Sequence, residues 1–506
     1  MANHLFSGLF PTGRSTGGNC IVRPDGHAHS YGDVERTSAR YAAALAASGV
    51  EPGDRVAVQV EKSPEALFLY LGSVRAGAVF LPLNPAYTLT EVDYFIGDAR
   101  PSFVVADPLR RDGIAEITKK HAVRRVETLA ADGSGSLAEL AARQSGSWAD
   151  IARDPADLAA ILYTSGTTGR SKGAMLTHEN LRSNADALMR TWRFTADDVL
   201  IHALPIFHTH GLFVATDVAL MAGAAMIFLP KFDPAEALSL MPKASVLMGV
   251  PTFYTRLLDS PGLTREATRN MRVFISGSAP LLAETHRQFR ERTGHAILER
   301  YGMTETSMNT SNPYDGERVP GSVGFPLPGV ELRVTEPESG RPLAKDEVGM
   351  IEVRGPNVFR GYWEMPEKTK AEFRADGFFI TGDLGRIDER GYVWILGRGK
   401  DLVITGGYNV YPKEVELEID AIQGVLESAV IGLPHPDFGE AVTAVVVPNG
   451  APPHEADVLA ALRKKLAGYK CPKRVIFTDA LPRNTMAKVQ KNVLREQYKD
   501  LYAPSG

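Results

Sequence analysis

Short apolar runs alternate with stretches of helical spacing along most of this chain. The apolar runs have the length of β-strands and lie at residues 158–164, 199–205, 244–251 and 272–277. Residues 280–292 carry apolar side chains at helical spacing, and Gly294 follows them as a helix stop signal. Strands joined to helices by short loops predict parallel or mixed sheets covered by helices, which is an α/β fold.

One apolar segment is nearly long enough to cross a membrane. Residues 211–230 read GLFVATDVALMAGAAMIFLP, yet they include Asp217 and Gly223 and have no flanking basic clusters. A buried helix that runs into a buried strand has the same composition. We therefore predict core structure here and no membrane partner.

The character of the chain changes near residues 398–401. Turn-rich β segments precede this point, whereas strands VVVP and RVIF and helices around DVLAALRKKLAGY and NVLREQYKDLY follow it. A chain of 506 residues is too long for one compact core. We predict a large multi-sheet N-terminal domain at residues 1–399 and a small mobile α+β C-terminal domain at residues 400–506.

The composition narrows the setting. Lys and Arg number 56 against 60 Asp and Glu, so the net charge of −4 gives no reason to expect a nucleic-acid partner. The cysteines are Cys20 and Cys471, which excludes a disulfide scaffold and a cysteine metal cluster. The N-terminus MANHLFSGLF has no secretory pattern. A reducing cytoplasm is the expected location.

The strongest local signal is YTSGTTGRSKG at residues 163–173, which overlaps the end of an apolar run. Its glycines let the backbone approach an anion, and its hydroxyls and Lys172 can bond phosphate oxygens. The spacing differs from that of a P-loop kinase, because here Lys172 precedes a glycine and not Ser or Thr. Alone, such a loop is as consistent with a flexible connector as with a nucleotide site.

Four further motifs follow the loop: ISGSAPL at 275–281, YGMTE at 301–305, TGDLG at 381–385 with GRGKDLVITGGYNVYPKEVE at 397–416, and PRNTMAK at 482–488. In this order the five motifs resemble the adenylate-forming superfamily of acyl-CoA synthetases, luciferases and peptide-synthetase adenylation domains, over essentially the whole chain. The resemblance implies an enzyme that uses ATP and Mg²⁺ to convert a carboxylic acid into its acyl-adenylate, and then transfers the acyl group to coenzyme A.

The resemblance also implies roles for individual residues. Thr164 and Glu305 match catalytic positions that bind Mg²⁺, a cation that prefers oxygen ligands. Lys488 matches the catalytic lysine that would lie between the substrate carboxylate and the α-phosphate. The residues expected to contact ATP or CoA are Thr164, Ser165, Gly166, Thr167, Thr168, Gly169, Lys172, Ser278, Ala279, Pro280, Glu299, Arg300, Tyr301, Gly302, Met303, Thr304, Asp383, Arg398, Lys400, Gly406, Gly407 and Lys488.

The C-terminal segment carries a departure from the family and its expected pivot. The family usually has glycine before the Lys488 position, whereas this chain has Ala487. If that position needs positive φ, alanine would strain the loop by about 1 kcal/mol. Lys400 occupies the pivot about which the family rotates its C-terminal domain between the two reactions. Gly406 and Gly407 would then leave room for pantetheine.

The acid is predicted from cations near the expected acyl pocket. His208 lies in FHTHGL, and Arg300 precedes YGMTE where many relatives carry a small residue. Arg287 lies on the preceding helix and, with Met303, is expected to line the same pocket. A guanidinium there suits a second carboxylate rather than a fatty tail. The alternative is that Arg300 pairs with a nearby acid such as Glu299 or Glu305.

Residues 299–321 are similar to those of malonyl-CoA synthetases, which implies malonate or methylmalonate as the acid. The alternatives are a ligase for a short- or medium-chain monocarboxylate and a stand-alone adenylation module that loads a carrier protein, although no carrier-protein motif is attached. Acetylation of Lys488 would remove its charge. A protein acetyltransferase and a deacetylase are therefore candidate partners, but no sequence feature establishes the modification.

Overall fold

The structure is a computed structural model, and it describes residues 2–164, 171–405, 408–435, 437–466, 468–484 and 488–502. Some residues with predicted roles lie outside the described residues, namely Ser165, Gly166, Thr167, Thr168, Gly169, Gly406, Gly407 and Ala487. Their predicted contacts therefore stay predictions.

Helices and strands alternate through the N-terminal part, as the apolar pattern predicts. Up to the nucleotide loop the elements are α1 (His4–Leu9), β1 (Asn19–Val22), β2 (Ala28–Ser30), α2 (Tyr31–Ala47), β3 (Arg55–Gln59), α3 (Pro64–Arg75), β4 (Val79–Pro82), α4 (Leu89–Ala99), β5 (Phe103–Ala106), α5 (Arg111–Lys120), β6 (Arg125–Thr128), α6 (Ser136–Ala142) and β7 (Leu158–Thr164).

The middle of the chain contains β8 (Lys172–Thr177), α7 (His178–Thr191), β9 (Val199–His202), α8 (Asp217–Ala222), β10 (Ala225–Phe228), α9 (Pro234–Leu240), β11 (Val246–Gly249), α10 (Pro251–Leu258), β12 (Val273–Ser276), α11 (Ala283–Thr293), β13 (Leu298–Met303) and β14 (Ser307–Ser311). It continues with β15 (Phe325–Pro326), β16 (Glu331–Thr335), β17 (Gly349–Arg354), β18 (Gly361–Tyr362), α12 (Pro366–Ala371), β19 (Phe379–Ile387) and β20 (Val393–Arg398).

The last part contains β21 (Val403–Thr405), β22 (Tyr408–Val410), α13 (Pro412–Asp420), β23 (Val425–His435), β24 (Gly439–Pro448), α14 (Glu455–Arg463), β25 (Arg474–Phe477) and α15 (Lys491–Tyr498). Short 3₁₀ helices occupy Pro108–Arg110, Met241–Lys243 and Gly399–Asp401, and a π-helix occupies His210–Thr216.

Within the described ranges these strands form four sheets of nine, seven, four and five strands. The nine-stranded sheet, in the order β15-β14-β13-β12-β11-β9-β10-β1-β2, has a parallel centre from β13 to β1 and antiparallel edges. The seven-stranded sheet, β18-β8-β7-β4-β3-β5-β6, is parallel from β7 to β6. The antiparallel sheet β16-β17-β19-β20 follows, and in the described part of the chain β21 to β25 pair with one another and with no other strand.

The buried apolar side chains form separate clusters in the N-terminal and C-terminal parts of the chain. The largest cluster of buried side chains joins both large sheets and the helices between them, with Phe68, Tyr70, Trp192 and Phe213 among its members. The strands after residue 402 have their own apolar clusters, one of them around Val403, Val430 and Val446. The predicted class, a large multi-sheet body followed by a smaller α+β unit, is confirmed. The predicted boundary between residues 399 and 400 stays a prediction.

The local predictions hold with small shifts. β7 has the predicted bounds, whereas the helix predicted at 280–292 is found at Ala283–Thr293 and ends at Gly294 with φ 84°. Residues 211–230 form most of the π-helix, α8 and β10, and they are largely buried, as a core segment should be. Among the described residues, no helix has both the length and the apolar character that a membrane span requires.

Candidate active site

The motif residues meet where parallel strands of the nine-stranded sheet end. Strands β9, β11, β12 and β13 are parallel neighbours, and their carboxyl ends lead into the histidine-rich segment 207–212, helix α10, the turn 277–280 and the turn after Met303. Ligands of open α/β sheets bind outside the carboxyl ends of the strands. The topology therefore gathers motifs that are far apart in the sequence.

The predicted nucleotide residues form a connected group around Asp383. Asp383 and Arg398 are direct partners on β19 and β20, and Arg398 Nε lies 2.8 Å from Asp383 Oδ1. The Tyr301 hydroxyl donates a hydrogen bond to Asp383 Oδ2 at 2.5 Å. Asp383 and Tyr301 are almost fully buried, and burial raises the pKa of Tyr301. The group combines an aromatic face with a fixed carboxylate, which suits an adenosine.

Glu305 lies at the end of a hydrogen-bonded chain that the motifs do not reveal. The Tyr362 hydroxyl lies 3.0 Å from Glu305 Oε1 and 2.6 Å from Glu372 Oε2. Lys172 Nζ is 3.2 Å from Glu372 Oε1 and 4.0 Å from the centroid of the Tyr362 ring. Glu305 is nearly fully buried, and this burial raises its pKa. A bound cation would compensate the negative charge of the buried Glu305 carboxylate. The carboxylate therefore fits Mg²⁺, which binds one or two protein carboxylates plus phosphate.

Thr164 and Lys172 face each other across the base of the nucleotide loop. They are direct partners in the β7–β8 pair, and the Thr164 hydroxyl donates to the Lys172 carbonyl at 3.5 Å. Both ends of the loop are therefore anchored on the seven-stranded sheet. The predicted phosphate contact of Lys172 stays a prediction, since its ammonium is paired with Glu372 in this structure.

Lys488 reaches the same site from the C-terminal part of the chain. Its backbone N–H donates a hydrogen bond to Asn484 Oδ1 at 3.0 Å. The residue as a whole is exposed, whereas its ammonium is surrounded by protein, and this desolvation lowers its pKa. The nearby Arg398 adds to this lowering, whereas Asp383 and Glu305 oppose it. The structure therefore brings the predicted catalytic lysine close to the nucleotide residues.

The histidines of FHTHGL lie near Lys488 and Arg300. Burial, together with the neighbouring cations of Lys488 and Arg300, lowers the pKa of His208 to about 3. His208 is thus neutral near pH 7, and its Nδ1 accepts a hydrogen bond from the His210 N–H at 3.3 Å. His210 Nδ1 lies 3.1 Å from the Ser278 hydroxyl. Ser278 has φ 72°, an unusual conformation for a residue other than glycine and a common one at functional sites.

Arg300 is the cation predicted for the acyl pocket. It is 4% exposed, and among the described residues neither its Nε nor its Nη2 has a hydrogen-bond partner. Its guanidinium packs against the backbone of Gly277, where an added Cβ would lie 2.3 Å from Arg300 Cζ. This contact follows from the register, because Ser276 pairs with Glu299 on the neighbouring strand. Burial lowers the pKa of the guanidinium, and within the described ranges the alternative pairing with Glu299 or Glu305 is not found.

The prediction for Arg287 was wrong. Its side chain is 64% exposed and pairs with Glu284 and Glu291 on the outer face of α11. Helical spacing allowed either face of α11 to be turned inward, and the apolar Phe289 occupies the buried one. Arg287 therefore does not line the pocket.

The remaining predicted residues lie around this group without a demonstrated contact. The Glu299 carboxylate accepts a hydrogen bond from the Gly321 N–H at 3.0 Å, and burial raises its pKa to about 8. Lys400 is exposed within the 3₁₀ helix that follows β20. Others lie in the turn after β12 or at the end of β13 and just beyond it, namely Ala279, Pro280, Gly302, Met303 and Thr304. Their predicted ligand contacts stay predictions.

Several site residues were not predicted from the sequence. Tyr362 and Glu372 lie in no recognised motif, and only the fold brings them to Glu305. His210 was within a quoted motif, and its burial beside Ser278 singles it out.

Two family models match the chain. The model described as AMP-binding enzyme matches residues 13–363, and the model described as AMP-binding enzyme C-terminal domain matches residues 414–488. Feruloyl-CoA synthase from Amycolatopsis is 37% identical over 487 residues, which are 94% of this chain and 95% of that protein. Malonate–CoA ligase from Arabidopsis thaliana is 33% identical over 554 residues, which are 98% and 90% of the two chains.

The solved structure of ATP-bound MatB from Rhodopseudomonas palustris is 66% identical, with a TM-score of 0.97. The apo form of that protein is also 66% identical, with a TM-score of 0.88. Each alignment covers 99% of this chain and 100% of the other. The overall backbone is therefore more similar to that of the ATP-bound form than to that of the apo form.

Proposed function

Because the chain belongs to the family of AMP-binding enzymes, we propose that it activates malonate with ATP and transfers the malonyl group to coenzyme A. The observation that carries the choice of acid is the buried Arg300 guanidinium, which has no acidic partner within the described residues. Methylmalonate has the same second carboxylate and is the closest alternative within this class.

The nucleotide side supports ATP as a substrate. The Asp383 carboxylate is oriented by Tyr301 and Arg398, so it can accept hydrogen bonds from ribose hydroxyls without reorganising. Glu305, held by Tyr362, would bind Mg²⁺, and bound Mg²⁺ would neutralise phosphate charge during the transfer. Thr164 at the base of the nucleotide loop is the second residue proposed to hold that cation.

The first step joins two anions, so it needs a cation between them. Lys488 lies among Arg398, Asp383 and Glu305, where its ammonium would contact both the substrate carboxylate and the α-phosphate. It would thereby stabilise the negative charge that develops as the carboxylate oxygen attacks the α-phosphorus and pyrophosphate leaves. The AMP group then leaves when the thiol of coenzyme A attacks the activated carbonyl.

The acyl side supports a dicarboxylate. A buried guanidinium without an acid is costly, whereas a second carboxylate on the substrate would pair with it in forked geometry. His208, neutral and adjacent to both Arg300 and Lys488, would complete the wall of this pocket. The curated relatives named for feruloyl and malonyl transfer are similarly distant, so their identities alone do not decide between these acids.

The Arg300 guanidinium also distinguishes malonate from the alternative acids. A monocarboxylate such as acetate or propionate would leave Arg300 unpaired, which disfavours it. Transfer to a carrier protein in place of coenzyme A would require a partner that presents a bound thiol.

The test is a panel of carboxylates assayed for AMP release with and without coenzyme A. Malonate, methylmalonate, succinate, acetate, propionate and ferulate cover the alternatives. We expect malonate to give the highest kcat/KM, with AMP release dependent on coenzyme A and malonyl-CoA as the product. A higher kcat/KM for a monocarboxylate would overturn the proposal for the acid. Turnover without coenzyme A but with a carrier protein would overturn the proposal for the acceptor.

Three further predictions belong to the same proposal. We place the domain boundary between residues 399 and 400 and the pivot at Lys400, which is exposed next to the last strand of the N-terminal part. We further propose a protein acetyltransferase and a deacetylase as partners, because acetylation would remove the Lys488 charge that the first step requires. We also propose a cytoplasmic location, because the two cysteines offer no disulfide scaffold.

A further inference from the structure

A further cation, Lys62, lies near the segment that carries His208, and the proposed mechanism assigns it no role. Lys62 follows β3 and lines a cavity of about 390 Å³ together with Pro205, Phe207 and Leu212. Its ammonium lies over the Phe228 ring, 4.2 Å from the centroid. Among the residues that the structure describes, no carboxylate pairs with it, and enclosure lowers its pKa. Buried or enclosed lysines without acids are rare unless they have a role.

The Lys62 ammonium is bound to one residue through two contacts. Nζ lies 2.9 Å from His202 Nδ1 and donates to the His202 carbonyl at 2.7 Å. Because an ammonium only donates, Nδ1 must be the acceptor nitrogen of the imidazole. His202 is therefore held in the tautomer that carries its hydrogen on Nε2.

The other ring nitrogen of His202 holds the segment that carries His208. Nε2 lies 2.9 Å from the Gly211 carbonyl and 3.0 Å from the Thr216 hydroxyl, and that hydroxyl donates to the same carbonyl at 2.9 Å. The chain here is tightly turned, since a Cβ on Gly211 would lie 2.0 Å from the Pro205 carbonyl oxygen. Residues 205–211 thus form a closed turn, and His202 binds one end of it.

We propose that Lys62 is a positioning residue for the first reaction: by fixing the tautomer of His202, it holds the turn 205–211 and so places His208 beside Arg300 and Lys488. This inference rests on the proposed function, because it assigns His208 to the acyl pocket. In the opposite tautomer, a bare Nε2 would face the Gly211 carbonyl, and the two lone pairs would repel each other. The turn would then shift, and small displacements at a reacting centre reduce rates strongly.

The experiment is a double-mutant cycle of Lys62→Met and His202→Phe. Each protein is assayed for malonate-dependent pyrophosphate exchange, for KM of ATP and of coenzyme A, and for Tm. We expect Lys62→Met to lower the kcat/KM of exchange for malonate about tenfold to a hundredfold, while its Tm is unchanged or higher and KM for ATP stays the same. His202→Phe should lower exchange similarly, and the double variant should lose little more than either single variant.

Two more variants complete the design. Lys231→Met is the matched control, because Lys231 lines the same cavity and is exposed, and no contact with His202 is seen for it among the described residues. It should leave pyrophosphate exchange unchanged. Thr216→Val removes one hydroxyl at the far end of the same hydrogen-bond chain and should give a smaller loss in the same assay.

The results that would overturn the inference are distinct. Normal exchange in Lys62→Met, or a change confined to KM for coenzyme A, would show that Lys62 does not act through His202. Additive losses in the cycle, or a fall in Tm that parallels the loss of exchange, would do the same. If the wild type prefers another acid, the proposed acid fails, and the cycle is run with the preferred acid.

Discussion

The cations on the two sides of the site differ in whether they have an acidic partner. On the nucleotide side, Arg398 pairs with Asp383 at 2.8 Å and Lys172 pairs with Glu372 at 3.2 Å. On the acyl side, Arg300 is more deeply buried than either, and its Nε and Nη2 have no partner in the part of the chain that the structure describes. Arg398 and Lys172 therefore have acidic partners before a ligand arrives, whereas Arg300 has none within the described residues.

This difference indicates where each ligand supplies charge. A paired cation mainly orients its acid, so the nucleotide side acts through preorganised geometry. An unpaired buried cation is unfavourable until a ligand brings the missing charge. The acyl side should therefore discriminate strongly by charge, and the nucleotide side weakly.

The largest effect should come from the cation that both sides share. Lys488→Ala should reduce malonate-dependent pyrophosphate exchange by at least about a thousandfold, because the proposed bridge between the two reacting anions is lost. Thioester formation from supplied malonyl-AMP should stay near the wild-type rate. Both half-reactions are measured separately, and an equal loss in both would contradict the assigned role.

Removing the unpaired cation tests the acyl side directly. Arg300→Ala should lower kcat/KM for malonate by about a hundredfold, because the second carboxylate loses its charge-assisted partner. KM for ATP should change little, and the preference for malonate over propionate should narrow. Steady-state kinetics with both acids measure this effect.

Arg287→Ala is the matched control for that prediction, since Arg287 is also an arginine near the site but is exposed. It should leave both acids unaffected. A preference for malonate that survives Arg300→Ala would remove the basis of the comparison.

A substitution at Gly277 should displace the Arg300 guanidinium without removing its charge. In Gly277→Ala the new Cβ would overlap the Arg300 guanidinium, so the charge remains but moves. We expect about a tenfold to thirtyfold loss of kcat/KM for malonate. Gly18→Ala is the control, because among the described residues no atom beyond Gly18 and its two chain neighbours lies within 4 Å of a Cβ added there. Full malonate activity in Gly277→Ala would mean that the position of Arg300 is unimportant.

A change at the proposed pivot, Lys400, should affect the second reaction much more than the first. Lys400→Pro fixes φ at the proposed hinge, so it should slow thioester formation roughly tenfold and leave pyrophosphate exchange nearly intact. Lys400→Ala, which keeps backbone freedom, should behave as wild type. If the proline variant makes malonyl-CoA at the normal rate, the pivot lies elsewhere.

The smallest effect is expected on the nucleotide side. Tyr301→Phe removes one hydrogen bond to Asp383, while Arg398 still orients that carboxylate. A single such bond contributes about 1 kcal/mol, so KM for ATP should rise about fivefold and the choice of acid should not change. An altered acid preference in this variant would argue against two independent sides.

Local pattern was sufficient for much of the fold. The apolar run at 158–164 is β7, and the amphipathic stretch before Gly294 is α11 with a shift of a few residues at its start. These elements follow from side-chain spacing and from glycine conformation, which neighbouring residues largely decide. The motifs likewise predict that Glu305, Asp383 and Lys488 share one site, and the three residues do lie near one another.

What the sequence by itself determined is the family chemistry, the alternation of elements and the identity of the charged groups. Which of the two arginines is buried was decided only by tertiary structure. Arg300 is buried by strand pairing beside Gly277, while Arg287 lies on the outer face of its helix. Tyr362, Glu372, Lys62 and His202 also acquire partners only through contacts far along the chain. The burial of a charged group and its ion-pair partner both depend on how distant segments pack together. They determine whether the charge is neutralised within the protein or only by a bound ligand.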